Sequence, residues 1–297
     1  MLSIKDLLIY FFIRTIGIIV RCMPRKAGLM LGSGLGDLIY FVLKERRDIA
    51  NNNLRMAFQN TEYDELSFVK GIARESFRNM GKNLIELLCF PKYDIEDLLD
   101  MVSIEGAENF TKAMDGGKGV IAITAHFGNW ELIFHVLTSL TDKLTAVAQA
   151  FKNKPLNALV NSYRTIHGGS IIEKKNAARE TLRLLRKGFC VIMLADQDAG
   201  ENGVFVDFFG RPASTARGPI MFALRTGAIV LEIFDIRQPD DTHIIRISEP
   251  YNLEISGNAD SDIRINTAKL AANLERMIIR YPSQWLWMHN RWKTLKR

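Results

Sequence analysis

The sequence predicts an α/β fold, with a mainly parallel central sheet flanked by helices behind a helical N-terminal segment. Three observations predict it. After Pro91, short runs rich in Val and Ile alternate with segments of helical period. Three of those runs, GVIAITA at Gly119–Ala125, FCVIMLA at Phe189–Ala195 and AIVLEIF at Ala228–Phe234, are almost wholly apolar, as strands covered on both faces are. The chain has 297 residues, 47% hydrophobic and 24% charged, enough to bury a full core without disulfide or metal staples. That composition excludes a disordered, collagen-like or disulfide-scaffold protein. Cys22, Cys89 and Cys190 are odd in number and far apart, so neither a disulfide framework nor a zinc site follows, and no cofactor is expected.

The elements follow in order. Residues Leu7–Met23, LLIYFFIRTIGIIVRCM, are nearly all apolar, with Arg14 in the middle and Pro24 as a stop. RCMPRKAG follows and offers no small-residue cleavage site, which argues against a signal peptide. The run is slightly short of the ~20 residues that a spanning helix needs, and Arg14 falls near its centre. Lys5, Arg14, Arg21, Arg25 and Lys26 suit an in-plane helix whose basic side chains snorkel. An apolar helix packed on the domain is the bland alternative. A membrane-associated first helix over 1–26 is therefore expected, with spanning and surface-lying forms both open. Residues 27–91 read as a helical lead-in to an α/β core over 92–297. Gly28, Gly32, Gly34 and Gly36 form a small-residue run suited to close helix packing. Apolar residues at helical spacing cover Asp64–Leu88.

Beyond Pro91, strands are expected at Gly119–Ala125, Leu144–Ala150, Phe189–Ala195, Ala228–Phe234 and His243–Ser248. Helices are expected at Trp130–Leu140, Pro155–His167, Ala177–Arg186, Pro219–Thr226 and Ile265–Tyr281.

In such sheets, functional groups gather beyond the carboxyl ends of strands. The first strand runs straight into His126, then FGNWE and an apolar helix. Asn129 is a natural N-cap, and Glu131 lies in the first helical turn. A Gly128–Asn129 turn lets Glu131 fold back toward the imidazole, giving a His base oriented by a carboxylate. The third strand ends in Asp196-Gln197-Asp198, three polar residues that a core does not explain. The loop GENGVFVDFFGRPAST has aromatics suited to an apolar slot. Arg217, in the helix start after it, sits where anions bind. His135 reads as packed or solvated, His167 as a helix C-terminus and His243 as a strand start. The tryptophans of the tail around His289 read as packing ahead of a membrane interface. The net charge of +6 suits an anionic partner, but it is spread out, and no nucleic-acid-binding motif or GxSxG elbow appears.

His126-Phe127-Gly128-Asn129-Trp130-Glu131 resembles the H-x4-D/E motif of bacterial lysophospholipid-type acyltransferases. The chain looks most like their lipid A late acyltransferase branch, which includes lauroyl and myristoyl transferases and the mycobacterial mannoside acyltransferase. The ADQD strand end, FVDFFGRPASTARGP, YPSQWLWMHNRWK and the N-terminal apolar helix extend the resemblance over nearly the whole chain. It implies an acyltransferase domain over 27–297 that moves a fatty acyl chain from an acyl carrier protein or acyl-CoA thioester to a hydroxyl of a membrane glycolipid, most readily a lipid A precursor. His126 is then the general base. Glu131 is the expected orienting acid, with Asp196 the rival for that role. Backbone N–H groups near Gly128 and Asn129, or Arg217, serve the oxyanion, with Asn129 thereby in the substrate site. Arg164, in NSYRTIHGG, matches a recurrent family arginine and is a candidate for acceptor phosphate. Another lipid acceptor, or a peripheral membrane-binding protein without chemistry, is the competing reading. Arg21, Arg25, Lys26, Lys44, Arg46 and Arg47 follow the first helix and place the catalytic domain on the cytoplasmic side of the inner membrane.

Overall fold

The computed structural model describes residues 3–59 and 65–295. Four helices come first: α1 (Ile4–Arg21), α2 (Arg25–Val42), α3 (Lys44–Phe58) and α4 (Leu66–Cys89). Ser3 caps α1, and Pro24 separates it from α2. The α/β part then runs α5 (Ile95–Leu99), β1 (Val102–Glu105), α6 (Ala107–Asp115), β2 (Val120–Thr124), α7 (Trp130–Thr138), β3 (Leu144–Ala148), α8 (Lys154–Arg164) and β4 (Ser170–Glu173). It continues with α9 (Ala177–Leu185), β5 (Cys190–Leu194), β6 (Val204–Phe208), β7 (Arg211–Thr215), α10 (Gly218–Thr226), β8 (Ile229–Arg237), β9 (His243–Ile247) and α11 (Ala259–Arg280).

The expected α/β architecture is present. Seven strands form one sheet in the order β1-β9-β8-β2-β5-β3-β4, parallel except where β9 turns back against β8. Central β2 is buried along its whole length. Its Val120 and Ala122 pack with Ile133 of α7, and its Ile121 and Ile123 with Leu185, Ile220 and Leu270 of α9, α10 and α11. The short strands β1 and β4 lie at the sheet edges, half exposed, where no apolar run marks them. The aromatic segment after Asp198 is not a slot-lining loop. It pairs with itself as the β6–β7 hairpin, and Phe208 is buried in a core shared with Phe58, Trp285 and Trp287.

The glycine run works as packing. A Cβ on Gly36 of α2 would meet the Phe77 carbonyl of α4 at 2.3 Å, and one on Gly32 the Gly81 carbonyl at 2.7 Å, so the two helices touch backbone to backbone. Buried polar residues of α3 and α4 then tie the helices to the C-terminal segment. Asn53 Nδ2 donates to the Trp287 carbonyl (2.8 Å), Ser76 Oγ to Trp285 (2.7 Å) and Asn79 Nδ2 to Ser283 (3.0 Å). Trp285 and Trp287 are fully buried, as the packing reading expects.

A buried ionic cluster lies behind the turn after β2. Glu86 of α4 receives Arg237 of β8, Arg25 of α2 and Asn129 Nδ2. His243 lies between Glu86 (3.4 Å) and Asp235 (2.9 Å). Burial alone would push the His243 imidazole down, but the carboxylates of Asp235 and Glu86 raise it to about 9.

Two outcomes follow. Gly36→Ala forces two helix backbones apart and should cost ~2 kcal/mol or more. Gly34→Ala faces open space and should gain up to ~1 kcal/mol of helix propensity; thermal midpoints compare the two. Because His243 binds its proton more tightly folded than unfolded, its contribution is full below about pH 6.5 and lost as pH rises through about 9. The melting temperature should fall over that window, and His243→Gln should flatten the fall.

Candidate active site

β2 and β5 are parallel neighbours with Thr124 opposite Leu194. Two residues on, at the carboxyl edge of the sheet, that register sets His126 opposite Asp196. The backbone N–H of His126 donates to Asp196 Oδ2 (3.0 Å), the imidazole Nδ1 bonds Oδ1 (2.9 Å), and Trp285 Nε1 donates to Oδ2 (2.9 Å). Asp196 is 3% exposed. Burial alone would raise its carboxyl, yet the His126 charge and the hydrogen bonds from His126 and Trp285 outweigh it and hold it at about 2. A permanently ionised acceptor at Nδ1 fixes the tautomer with the proton on Nδ1. The Nε2 lone pair then points outward, 3.4 Å from the Gln197 side-chain nitrogen, with the Trp130 ring 4.9 Å away edge-on.

Of the two acids weighed from the sequence, Asp196 meets the imidazole and Glu131 does not. After His126 the chain turns through Gly128 (φ +55°), packed so tightly against the Asp235 carbonyl that a Cβ would lie 2.0 Å from it. Asn129 then caps α7 by accepting from the Leu132 N–H. This turn swings Glu131 away from His126 and onto Arg164 at the end of α8, whose Nε and Nη2 grip its two carboxylate oxygens in a bidentate fork.

His126, Glu131 and Arg164 share a cavity of about 420 Å³ that reaches past Gln197, Asp198 and Lys174. Apart from Gln149, its remaining wall is mainly apolar, with Trp130, Phe134, Ile171, Ile192, Met193, Pro219 and Phe222. Pairing of β3 with β5 stops at Ala146 opposite Ile192, and the residues beyond, Val147, Ala148, Met193 and Leu194, line the opening between the parting strands. A polar mouth carrying a nucleophile activator and an apolar depth is the form that a long-chain substrate needs.

Three sequence expectations are corrected. Asn129 does not face the cavity: it is buried, with its side chain on Glu86 and its N–H on Asp235 Oδ1 (2.7 Å). The backbone donors expected for an oxyanion are taken, since Gly128 N–H bonds the Gln284 carbonyl (3.0 Å). Arg217 is exposed and pairs with Asp260 (2.9 Å) beside a separate surface hollow with Phe205 and Arg264, although its neighbours Ala216 and Gly218 reach the cavity wall.

Two contributors escaped the sequence reading. Gln197 was seen only as part of a polar run, and Trp285 completes the Asp196 site from 89 residues away, a distance that no local pattern spans. His135 and His167 form a separate bonded pair (2.9 Å) stapling α7 to the chain after α8, away from the cavity wall.

Residues 2–294 match the family model for bacterial lipid A biosynthesis acyltransferases. The chain is 27% identical over 274 residues to the lipid A biosynthesis palmitoleoyltransferase of Escherichia coli K12, covering 92% of this chain and 87% of that protein. It is 25% identical to the lipid A biosynthesis lauroyltransferase of the same organism, with the same coverage. It is 22% identical to the phosphatidylinositol mannoside acyltransferase of Mycolicibacterium smegmatis, over 74% of this chain and 72% of that one. The chain therefore belongs to the bacterial lipid A biosynthesis acyltransferase family, whose chemistry is acyl transfer.

Proposed function

We propose that the protein transfers a fatty acyl chain from a thioester donor to a hydroxyl of an anionic membrane glycolipid, with a lipid A precursor as the first candidate. The observation that carries this reading is the His126–Asp196 pair, whose Nε2, with only the long Gln197 contact, faces a cavity with an apolar depth. The acyl chain lies along Phe134, Ile171, Ile192 and Met193 with its thioester carbonyl at the mouth. The acceptor hydroxyl gives its proton to His126 Nε2 as its oxygen attacks the carbonyl carbon. Asp196 keeps Nδ1–H oriented and stabilises the imidazolium that forms. The Gln197 amide, 3.4 Å from Nε2, is the donor this reading offers to the developing oxyanion. The C–S bond then breaks, and the departing thiolate takes the proton back from His126. Arg164, held flat by Glu131, and Lys174 offer cationic groups to an acceptor phosphate. The donor is acyl carrier protein in this reading, with acyl-CoA as the alternative. Mannoside acyltransferases among the relatives favour a second reading, in which the acceptor is another anionic glycolipid.

The same proposal places the protein on the cytoplasmic face of the inner membrane. No single helix among the described residues is long and apolar enough to cross a membrane, although α2 and α3, bent by 93° at their junction, pass that test as a pair. Helix α1 turns Gly17 and Val20 inward and leaves Leu8, Phe11, Phe12, Ile18 and Ile19 exposed; α2 exposes Leu38, Phe41 and Val42. A helix already docked along one stripe suits a surface-lying seat. Arg21 of α1 packs over Tyr163 of α8, whose last residue, Arg164, lines the cavity, so the seat and the acceptor site share one helix.

His126→Ala should cut acyl transfer by at least ~10²-fold with circular dichroism unchanged. Asp196→Asn should come close to that loss, whereas Glu131→Gln, which leaves the imidazole its carboxylate, should cost ~10-fold or less in kcat and act mainly on acceptor KM through Arg164. Equal kcat losses in the two carboxylate variants would return Glu131 to the reacting centre. Phe11→Glu with Phe12→Glu should weaken sedimentation with anionic vesicles by at least ~10-fold while sparing turnover of detergent-dispersed substrate. Lipid mass spectrometry of a deletion strain, with carrier-protein and CoA thioesters compared in vitro, identifies acceptor and donor.

A further inference from the structure

Arg291, in the C-terminal segment, is 1% exposed. Its Nη1 donates to the Ser214 carbonyl and its Nη2 to Thr215 Oγ1, and the guanidinium lies 4.9 Å from the Phe208 ring centroid. All three partners are neutral. Among the described residues no carboxylate bonds it, and its Nε meets no acceptor. A buried cation left without a counter-ion is costly, and an apolar side chain of similar volume would avoid that cost.

The carboxylates whose charges act on it are Asp196 and Asp198, and of these Asp196 shares a cavity with it. Arg291 and Asp196 line a cavity of about 30 Å³ behind the His126–Asp196 pair, room for about two water molecules, between the sheet and α11. Thr124 and Thr267, whose buried hydroxyls also lack partners, line it as well. The other groups facing this region are accounted for. Glu232 of β8, on the same cavity, is pushed up to about 7 by burial, and Asn273 donates to it. Asp198 accepts from Thr294 Oγ1 and Gly200 N–H. His289, lowered by burial, accepts the Asp198 N–H at Nε2 and so is neutral. On the far side of His126, Glu131 and Arg164 satisfy each other, and Lys174 lies on the groove wall. Arg291 is thus a buried cation on the inner side of Asp196 to which no carboxylate among the described residues is hydrogen-bonded, with the charges of Asp196 and Asp198 acting on it from a distance.

We propose that Arg291 is a positioning residue for acyl transfer, whose unpaired charge acts across this cavity on Asp196 and limits how firmly that carboxylate holds a proton on His126. A carboxylate beside an imidazole favours its protonated form, and an imidazolium cannot accept the hydroxyl proton. A cation behind the carboxylate opposes that tendency through a low-dielectric region. The inference rests on the reading of His126 as the base.

The test is the pH dependence of kcat/KM for the full-length protein and three variants. Arg291→Met removes the charge while filling the space against Phe208, Arg291→Gln removes it with a polar group, and Arg291→Lys keeps it. The neutral variants should move the acidic limb upward by about 0.5–1 pH unit, which is a ~3–10-fold loss below the limb that recovers above it. Arg291→Lys should keep the wild-type limb even where its melting temperature falls. A residue that only fastens β7 would give Met and Lys variants the same limb. An unmoved limb in the folded Met or Gln variant, or a Lys variant that shifts like Met, overturns the proposal. Full activity in His126→Ala would instead overturn the base assignment beneath it, so the two failures are told apart.

Discussion

The structure turns on one buried carboxylate. Asp196 takes three hydrogen bonds in a place where an ionised acid is otherwise unaffordable, two from His126 and one from the Trp285 indole. Those bonds join β2, β5 and the C-terminal segment. A parallel register between two fully apolar strands puts the residues that follow them level with each other, and the carboxylate then fixes the imidazole in plane and in tautomer. The apolarity of β2 and β5 is therefore part of the site: a one-residue slip would bring Ala195 or Gln197 opposite His126.

The indole must also be held, and this explains the polar residues on otherwise packed helices. Asn53, Ser76 and Asn79 would be unfavourable inside a core, but each donates to a carbonyl of the stretch around Trp285, where one 3-10 turn and a single bridge to Phe127 leave those carbonyls unpaired by regular structure. Asn83 does the same for the Gly128 carbonyl. The glycine contact between α2 and α4 brings this polar row close to the sheet. The ionic cluster of Glu86, Arg237, His243 and Asp235 then closes behind the turn. The N-terminal helices are thus a clamp on the turn after β2 as well as a candidate membrane seat.

Much of this was legible in the chain itself. The Val- and Ile-rich runs mark the five long strands to within a few residues, because doubly covered strands have to be apolar. His126 and Asp196 are exposed to inference by the rule that chemistry collects at carboxyl ends of strands. The edge strands β1 and β4 were not legible, since four half-exposed residues carry no periodic signal. The hairpin was hidden by turn-like composition around Gly203 and Gly210. The choice between Glu131 and Asp196 depended on the backbone path at Gly128, where a positive φ and the Asp235 carbonyl redirect the chain. Sequence spacing alone allows either. Arg217 was misplaced for a related reason: a basic residue at a helix start has an anion-binding prior, and Asp260 on the neighbouring α11 consumes it.

The motif acid then acquires a different meaning. With the imidazole already served by Asp196, a carboxylate at Glu131 is needed where it stands, as the partner that lets Arg164 keep a rigid, buried guanidinium beside the cavity. An arginine there without that fork would be free to fold over the mouth. Paired, it presents its remaining edge to the site at a fixed angle. In the mechanism we propose, the spacing from His126 to Glu131 then measures the distance from the base to the acceptor's anchor: one turn, one cap and one helical step separate His126 from the carboxylate that steadies Arg164. A single short segment can in this way align both ends of the acceptor, and the remaining wall is left free to be apolar.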